Sequence, residues 1–309
     1  MNETYTIRNY HPRDFNRYAD MNISAGKREW FGSMASHHTL TESLKRPDYS
    51  PEENLFIAEC GEIIAGYVNV IPERIIGRAI MDCYLHPEHR SHVLAERLFG
   101  QALLHTGSIS IPLAHACVGE NNRVIGEALA GLGCDVVRKF VNMRLDMADF
   151  RLSSIKSGVF RLRRPKAGEE AIIAGIQNRC FDGTWGYNPN TAVEIAHYMR
   201  LFECTMENII LLCDGDRPVA SCWTTIYPQD SAGNSGNIGR IHMLGVDPDY
   251  RGRGIGREAL LAGLVHLKTS GVNYVDLTAD SENEVALSLY VSAGFRESSA
   301  SLWHEKRVS

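Results

Sequence analysis

The sequence predicts two tandem copies of one α/β domain, and three observations carry that prediction. The first is an internal repeat. Tyr5-Thr-Ile-Arg8 and Phe160-Arg-Leu-Arg163 are alternating strand starts, each followed by a proline-containing turn and an apolar-periodic helix, with Asp14 and Glu169 at matching offsets. Residues 54–61 match 208–215 as a strand and glycine turn, 86–90 match 247–251, and 131–134 match 292–295. The second observation is a short apolar strand at 238–244 that runs through a glycine-rich turn into a helix. The third is length: 309 residues suffice for two domains, each with its own core. The joint is expected near 149–158, where Ser153, Ser154, Lys156 and Ser157 cluster, giving domains at 1–149 and 157–309.

In each copy the expected order is an opening strand, a turn and helix, then two strands joined at Gly61 or Gly215 and running through Val70 or Thr225. In the second copy the helix after the glycine turn carries Ile255, Ala259, Leu260, Leu264, Val265 and Leu267 at helical spacing, and Gly271 marks its stop. The 44% hydrophobic and 22% charged composition is that of a soluble globular protein. A net charge of −5 implies no overall attraction to nucleic acid or membrane, so the basic residues near 251 are a local feature. No apolar run approaches membrane-spanning length, and the N-terminus lacks a signal-peptide pattern. The eight cysteines form no C-x-x-C pair and read as reduced core residues of a cytoplasmic protein, with no metal site.

The chemistry is expected in Val246-Asp-Pro-Asp-Tyr-Arg-Gly-Arg-Gly-Ile-Gly-Arg257. Gly252, Gly254 and Gly256 let a backbone approach a ligand closely. The first N–H groups of the following helix, opening at Ile255, make an anion site. Arg251, Arg253 and Arg257 surround that site with cations able to grip phosphate oxygens. The G-x-G-x-G spacing departs from the dinucleotide fingerprint, and no Lys-Ser/Thr pair follows as a nucleoside-triphosphate loop requires. The residues resemble instead the coenzyme A loop of the GNAT superfamily of N-acyltransferases: Arg251, Gly254 and Gly256 fit its Arg/Gln-x-x-Gly-x-Gly/Ala pattern. Asn283, Ala286, Tyr290 and Ala293-Gly-Phe295 match a second family element at the right distance.

The resemblance implies a mixed, mostly antiparallel sheet flanked by helices in each domain. It also implies acetyl-CoA as co-substrate without a metal, and direct attack by a primary amine in a ternary complex. Coenzyme contacts are expected from Leu244, Gly245, Val246, the residues Arg251, Gly252, Arg253, Gly254, Ile255, Gly256 and Arg257, and Asn283. Tyr290, which taken alone reads as a core tyrosine on an amphipathic helix, is by this resemblance the expected acid for the departing thiolate, and a backbone N–H near Leu244 or Gly245 the oxyanion donor. Gly245 is expected to mark a bulge that splays the strand.

The tandem arrangement is similar to the mycothiol synthase group, which Gly245-Val-Asp-Pro248 and the Cys180-Phe181…Trp185-Gly-Tyr187 segment also suit. These enzymes commonly carry a glutamate base six residues before the Val246 position, and here that place holds Arg240. Alternation along a strand would put Arg240, His242 and Leu244 on one face, so His242 is the local candidate for the base; a structural histidine or a water relay to a carboxylate are the alternatives. Trp185 and Tyr187 border the acceptor pocket in the family, or plug the loop between two helices. Trp223 and Tyr227 read as core.

In the first copy Ser91-His-Val-Leu-Ala95 replaces the glycine loop and Leu129 stands at the Tyr290 place, although Arg90 and Asn122 are kept. That copy reads as catalytically lapsed. The expected function is acetyl transfer to a primary amine of a small molecule or peptide. A non-catalytic acyl-CoA-binding sensor is the alternative.

Overall fold

The computed structural model describes residues 4–24, 35–151, 160–227 and 237–308. The first copy runs β1 (Thr6–Asn9), α1 (Phe15–Ser24), α2 (His37–Leu44), α3 (Pro51–Asn54), β2 (Leu55–Cys60), β3 (Ile63–Glu73) and β4 (Arg78–Leu85). It continues with α4 (His92–Ser108), β5 (Leu113–Gly119), α5 (Arg123–Gly131) and β6 (Asp135–Asp146). The second copy runs β7 (Arg161–Arg163), α6 (Glu170–Phe181), α7 (Ala192–Leu201), β8 (Ile209–Asp214), β9 (Arg217–Tyr227) and β10 (Asn237–Val246). It ends with α8 (Ile255–Thr269), β11 (Val272–Asp280), α9 (Glu284–Ser292) and β12 (Arg296–Arg307). Among the described residues no helix is long and apolar enough to cross a membrane.

The chain divides into two compact units. The first holds the described residues up to Phe140 together with those from Ser299 onward. Its strands run β1-β2-β3-β4-β5-β12. The first four are antiparallel neighbours, β4 and β5 are parallel, and β5 is antiparallel to Ser301–Arg307 of β12. Leu94, Leu98 and Phe99 of α4 pack on one face with Leu129 of α5, and Tyr18, Leu40 and Tyr67 fill a separate cluster.

The second unit is Val141–Ser298. Its strands run β7-β8-β9-β10-β11-β6, antiparallel from β7 to β10 and parallel between β10 and β11. Ile255, Leu260 and Leu264 of α8 form one core with Tyr290, Phe295 and the β6 residues Met143 and Leu145. Ile173, Ile195, Leu201 and Trp223 form another, under α6 and α7. The mixed, mostly antiparallel sheet flanked by helices is as expected.

The unit boundaries differ from the 149/157 division, and residues 152–159 of the expected joint lie outside the described residues. Val141 to Phe150 pack in the second unit, and the chain's last strand packs in the first. Strands β6 and β12 are copies of one another, so either can serve either sheet with the same alternation. Local pattern cannot say which partner each takes.

The repeat is reproduced at side-chain level. Arg8 grips Asp14 through two hydrogen bonds at 2.7 and 2.8 Å, and Arg163 holds Glu169 at 2.6 Å. Each acid also accepts a backbone N–H three residues before it, closing the same turn. The copies part company at their fourth strands. The β3–β4 register is regular from Gly66 to Glu73, whereas the β9–β10 register shifts between Ile241 and Met243, leaving His242 as an extra residue.

Candidate active site

Strand β10 pairs with β9 up to Val246 but with β11 only as far as Ile241, so past the bulge its β11-facing edge is open. The bulge therefore lies at His242 and not at Gly245, which sits in the ladder opposite Ser221. Gly245 answers a different need. A Cβ there would stand 2.5 Å from Cys180 Cβ and 3.0 Å from Phe181 Cε2, so its bare backbone lets the end of α6 touch the strand. The extra residue also reverses the alternation. Arg240 and His242 share a face as expected, but Leu244 does not join them: Ile241, Leu244 and Val246 pack toward α8, while Met243 packs toward α6 and α7.

After β10 the turn Pro248–Tyr250 is capped by Asp247, whose fully buried carboxylate accepts from Asp249 N at 3.1 Å. Arg179 donates to both its oxygens at 2.7 and 2.8 Å and Arg217 to one at 3.0 Å, which holds this acid well below the usual carboxylate range. Arg251 donates to the carbonyls of Cys180 at 2.7 Å and Val246 at 3.3 Å. It thus ties the loop to α6 and β10 through its guanidinium. Arg253 donates to the Asp249 carbonyl at 3.2 Å and lies over the Tyr250 ring, and Arg257 donates to Ser292 Oγ at 3.0 Å.

Gly252 and Gly254 have φ of +76° and +80°, a region side chains rarely adopt, and open space lies where their Cβ atoms would be. Helix α8 starts without a side-chain cap. Among the described residues the N–H groups of Gly252, Arg253, Gly254, Ile255 and Gly256 have no hydrogen-bond partner. Those donors and the positive end of α8 form the anion-facing surface. Gly256 packs this helix start between Val246 and Leu289 of α9, at 3.5 and 3.7 Å from its would-be Cβ. Asn283 caps α9 by accepting from Ala286 N at 3.1 Å, so its side-chain oxygen is used structurally.

Tyr290 belongs to the same core as Ile255, Leu244 and Val246, is 8% exposed, and meets Phe295 edge-on at 5.9 Å. Its hydroxyl has no hydrogen-bond partner among the described residues and is not sealed from solvent. Burial raises its pKa, keeping the proton on. His242 stacks on Phe202 at 4.4 Å with ring planes 8° apart. Its Nε2 lies 2.7 Å from Thr225 Oγ1 and 3.1 Å from the Tyr227 hydroxyl. Burial first, and the Arg240 charge second, push its pKa well below 6.5, so the ring is neutral at physiological pH.

Tyr227 was expected in the core and instead faces His242; Thr225 and Phe202 were not anticipated at all. The first two lie two residues apart on β9, a spacing that puts them on one face and was readable. Phe202 follows α7 and was not. Trp223 is core as expected. Tyr187 stacks on Phe181 at 5.3 Å, donates to Asn178 Oδ1 at 2.8 Å and accepts from Asn190 at 3.4 Å. This fits the plug reading, with its ring backing the Phe181 that covers Gly245. Trp185 lies half-buried in the same turn. No cluster of three His, Cys, Asp or Glu side chains suited to a metal occurs among the described residues.

The corresponding helix start in the first unit is capped. Ser91 caps α4 by accepting from Leu94 N at 3.3 Å, occupying the donor that Ile255 leaves unpaired. Asn122 accepts from Arg90 at 2.7 Å, Tyr84 fills the position of Gly245, and no bulge interrupts β4.

Comparison with known proteins agrees with this geometry. The family model described as the acetyltransferase (GNAT) family matches residues 173–295. The mycothiol acetyltransferase of Thermobispora bispora is 30% identical over 244 residues, covering 76% of this chain and 77% of that protein. That of Pseudarthrobacter chlorophenolicus is 28% identical over 270 residues, covering 85% and 79%. Among solved structures, a GCN5-related N-acetyltransferase from Sphaerobacter thermophilus superposes with a TM-score of 0.72 at 19% identity, covering 98% of this chain and 95% of that one. A tandem GNAT protein from the clavulanic acid biosynthesis pathway gives 0.69 at 14% identity, covering 99% of each. The chain, with its repeated α/β units and one uncapped glycine loop, belongs to the GNAT family of acetyltransferases.

Proposed function

We propose that the second unit transfers an acetyl group from acetyl-CoA to a primary amine of a small molecule, by direct attack with both substrates bound. The observation that carries this reading is the open edge of β10 beyond His242, which leads to the uncapped start of α8 with the unpartnered Tyr290 hydroxyl in the adjoining core. Unpaired strand donors suit the amide-rich pantetheine arm, and the free N–H groups from Gly252 to Gly256 suit a pyrophosphate.

The amine reaches the site mostly protonated and must lose a proton to attack. Neutral His242 takes it, directly or through a water, and passes it to solvent. The new C–N bond forms at the thioester carbon, and a backbone N–H at Leu244 or Gly245 donates to the oxygen that gains negative charge. The C–S bond then breaks, Tyr290 gives its proton to the leaving sulfur and regains one from solvent. Its raised pKa keeps Tyr290 protonated until the C–S bond breaks.

The test is thiol release from acetyl-CoA against a panel of primary amines, with products identified by mass. Amine-dependent release with a product heavier by one acetyl group is expected. Tight coenzyme binding with no amine-dependent release would make the unit a binding module instead.

A further inference from the structure

Among the described residues Arg240 is a largely enclosed cation with no acid of its own. Its Nη2 donates to Thr278 Oγ1 at 2.8 Å, and that hydroxyl donates onward to Asn142 Oδ1 at 2.7 Å. Its Nε is sealed from solvent and has no hydrogen-bond partner. The acid beside it in the β10–β11 ladder is Asp276, but both Asp276 oxygens are taken by Arg144 at 2.7 Å. Among the described residues no carboxylate lies within 4.0 Å of the Arg240 guanidinium. Two cations therefore share one acid. An enclosed guanidinium without a counter-ion is costly, and an anion from outside relieves that cost.

The location says what such an anion would belong to. Arg240 and His242 share one face of β10, two residues or about 7 Å apart along the strand. Thr225 and Tyr227 of β9 flank the same surface and bond to His242. An acceptor whose amine meets His242 would present a group a few bonds away to Arg240. A polycationic acceptor would be repelled there. A carboxylate approaching the guanidinium from the side away from the sealed Nε supplies the missing charge.

We propose that Arg240 recognises a carboxylate on the acceptor, so that the acceptor is a primary amine carrying a nearby carboxylate, of the amino-acid class. This rests on the reading of the second unit as an amine acetyltransferase. Arg240 is then a specificity residue, standing on the strand beside the base.

The experiment compares free amino acids with their α-amides as acceptors, using thiol release from acetyl-CoA, for the full chain and for Arg240→Gln and Arg240→Lys. Coenzyme A affinity, measured by calorimetry, checks that each variant is folded. The wild type should favour acid over amide by roughly 10- to 100-fold in kcat/KM, the range of a charge-assisted hydrogen-bond pair. Arg240→Gln should abolish that preference through KM for the acids, and Arg240→Lys should keep part of it. Equal use of amides by the wild type, or a preference that survives Arg240→Gln, overturns the proposal while leaving amine acetylation standing. If coenzyme A binds and no amine releases thiol, the acetyltransferase reading fails. Arg240 is then judged by melting temperature: a rise with free amino acids over their amides that Arg240→Gln removes supports carboxylate binding, and no such rise overturns it.

Discussion

At the scale of single residues, the proposed chemistry depends on two side chains whose types were legible in the sequence and whose surroundings were not. Tyr290 stood out by its motif, and the structure places its ring in the core, its hydroxyl without a hydrogen-bond partner among the described residues. Tyr290→Phe keeps the ring and removes only the oxygen. It should lower kcat roughly 10²- to 10⁴-fold with coenzyme binding nearly intact, measured by steady-state kinetics beside calorimetry. His242 was legible as a strand histidine near the loop. Its stacking on Phe202 and its two hydroxyl partners arise from other elements, so its basicity was not legible. Burial and Arg240 both disfavour the imidazolium, so the base form persists as pH falls. The acidic limb of kcat/KM should therefore lie well below 6.5, and His242→Gln should remove it. Arg240→Gln takes away the neighbouring positive charge, which favours imidazolium, so the limb should move upward toward neutrality. A limb that stays put in both variants assigns the base to another group.

At the scale of elements, the glycine turn and the helix that follows were legible because positive φ and an uncapped helix start leave a mark in composition. The bulge was not, since it is a property of how β10 pairs with β9. A glycine in a strand signals either a bulge or a close approach, and Gly245 proves to be the second. Gly245→Ala would place a methyl 2.5 Å from Cys180 Cβ and should cost about 1–3 kcal/mol, read as a lowered midpoint in denaturant. Unchanged stability would mean that α6 can retreat freely. Gly254→Val acts differently. Nothing crowds its Cβ, so the damage comes from a β-branched residue at φ +80° and from methyls in the ligand's approach. Coenzyme A affinity should fall ~10²-fold or more.

At the scale of the whole molecule, the duplication was legible from end to end, down to the paired Arg8–Asp14 and Arg163–Glu169 turns. The unit boundary was not, because β6 and β12 carry equivalent patterns and only long-range pairing separates them. A chain cut at the expected boundary, beginning at residue 157, would lose Val141, Met143, Leu145, Met147 and Phe150 from the second unit's core. At roughly 1.5–3 kcal/mol for each buried side chain, that loss rivals a domain's entire stability of about 5–15 kcal/mol. The cut chain should fail to give a cooperative melt, and one matching the full chain would contradict the assignment of β6. The central claim is that one unit, the second, holds the coenzyme, because its helix start is uncapped where Ser91 closes the other. Calorimetric titration of the full chain with coenzyme A tests it most directly. One site per chain is expected, strongly weakened by Gly254→Val and untouched by Arg90→Ala. Two equivalent sites, or binding that ignores Gly254→Val, would contradict it.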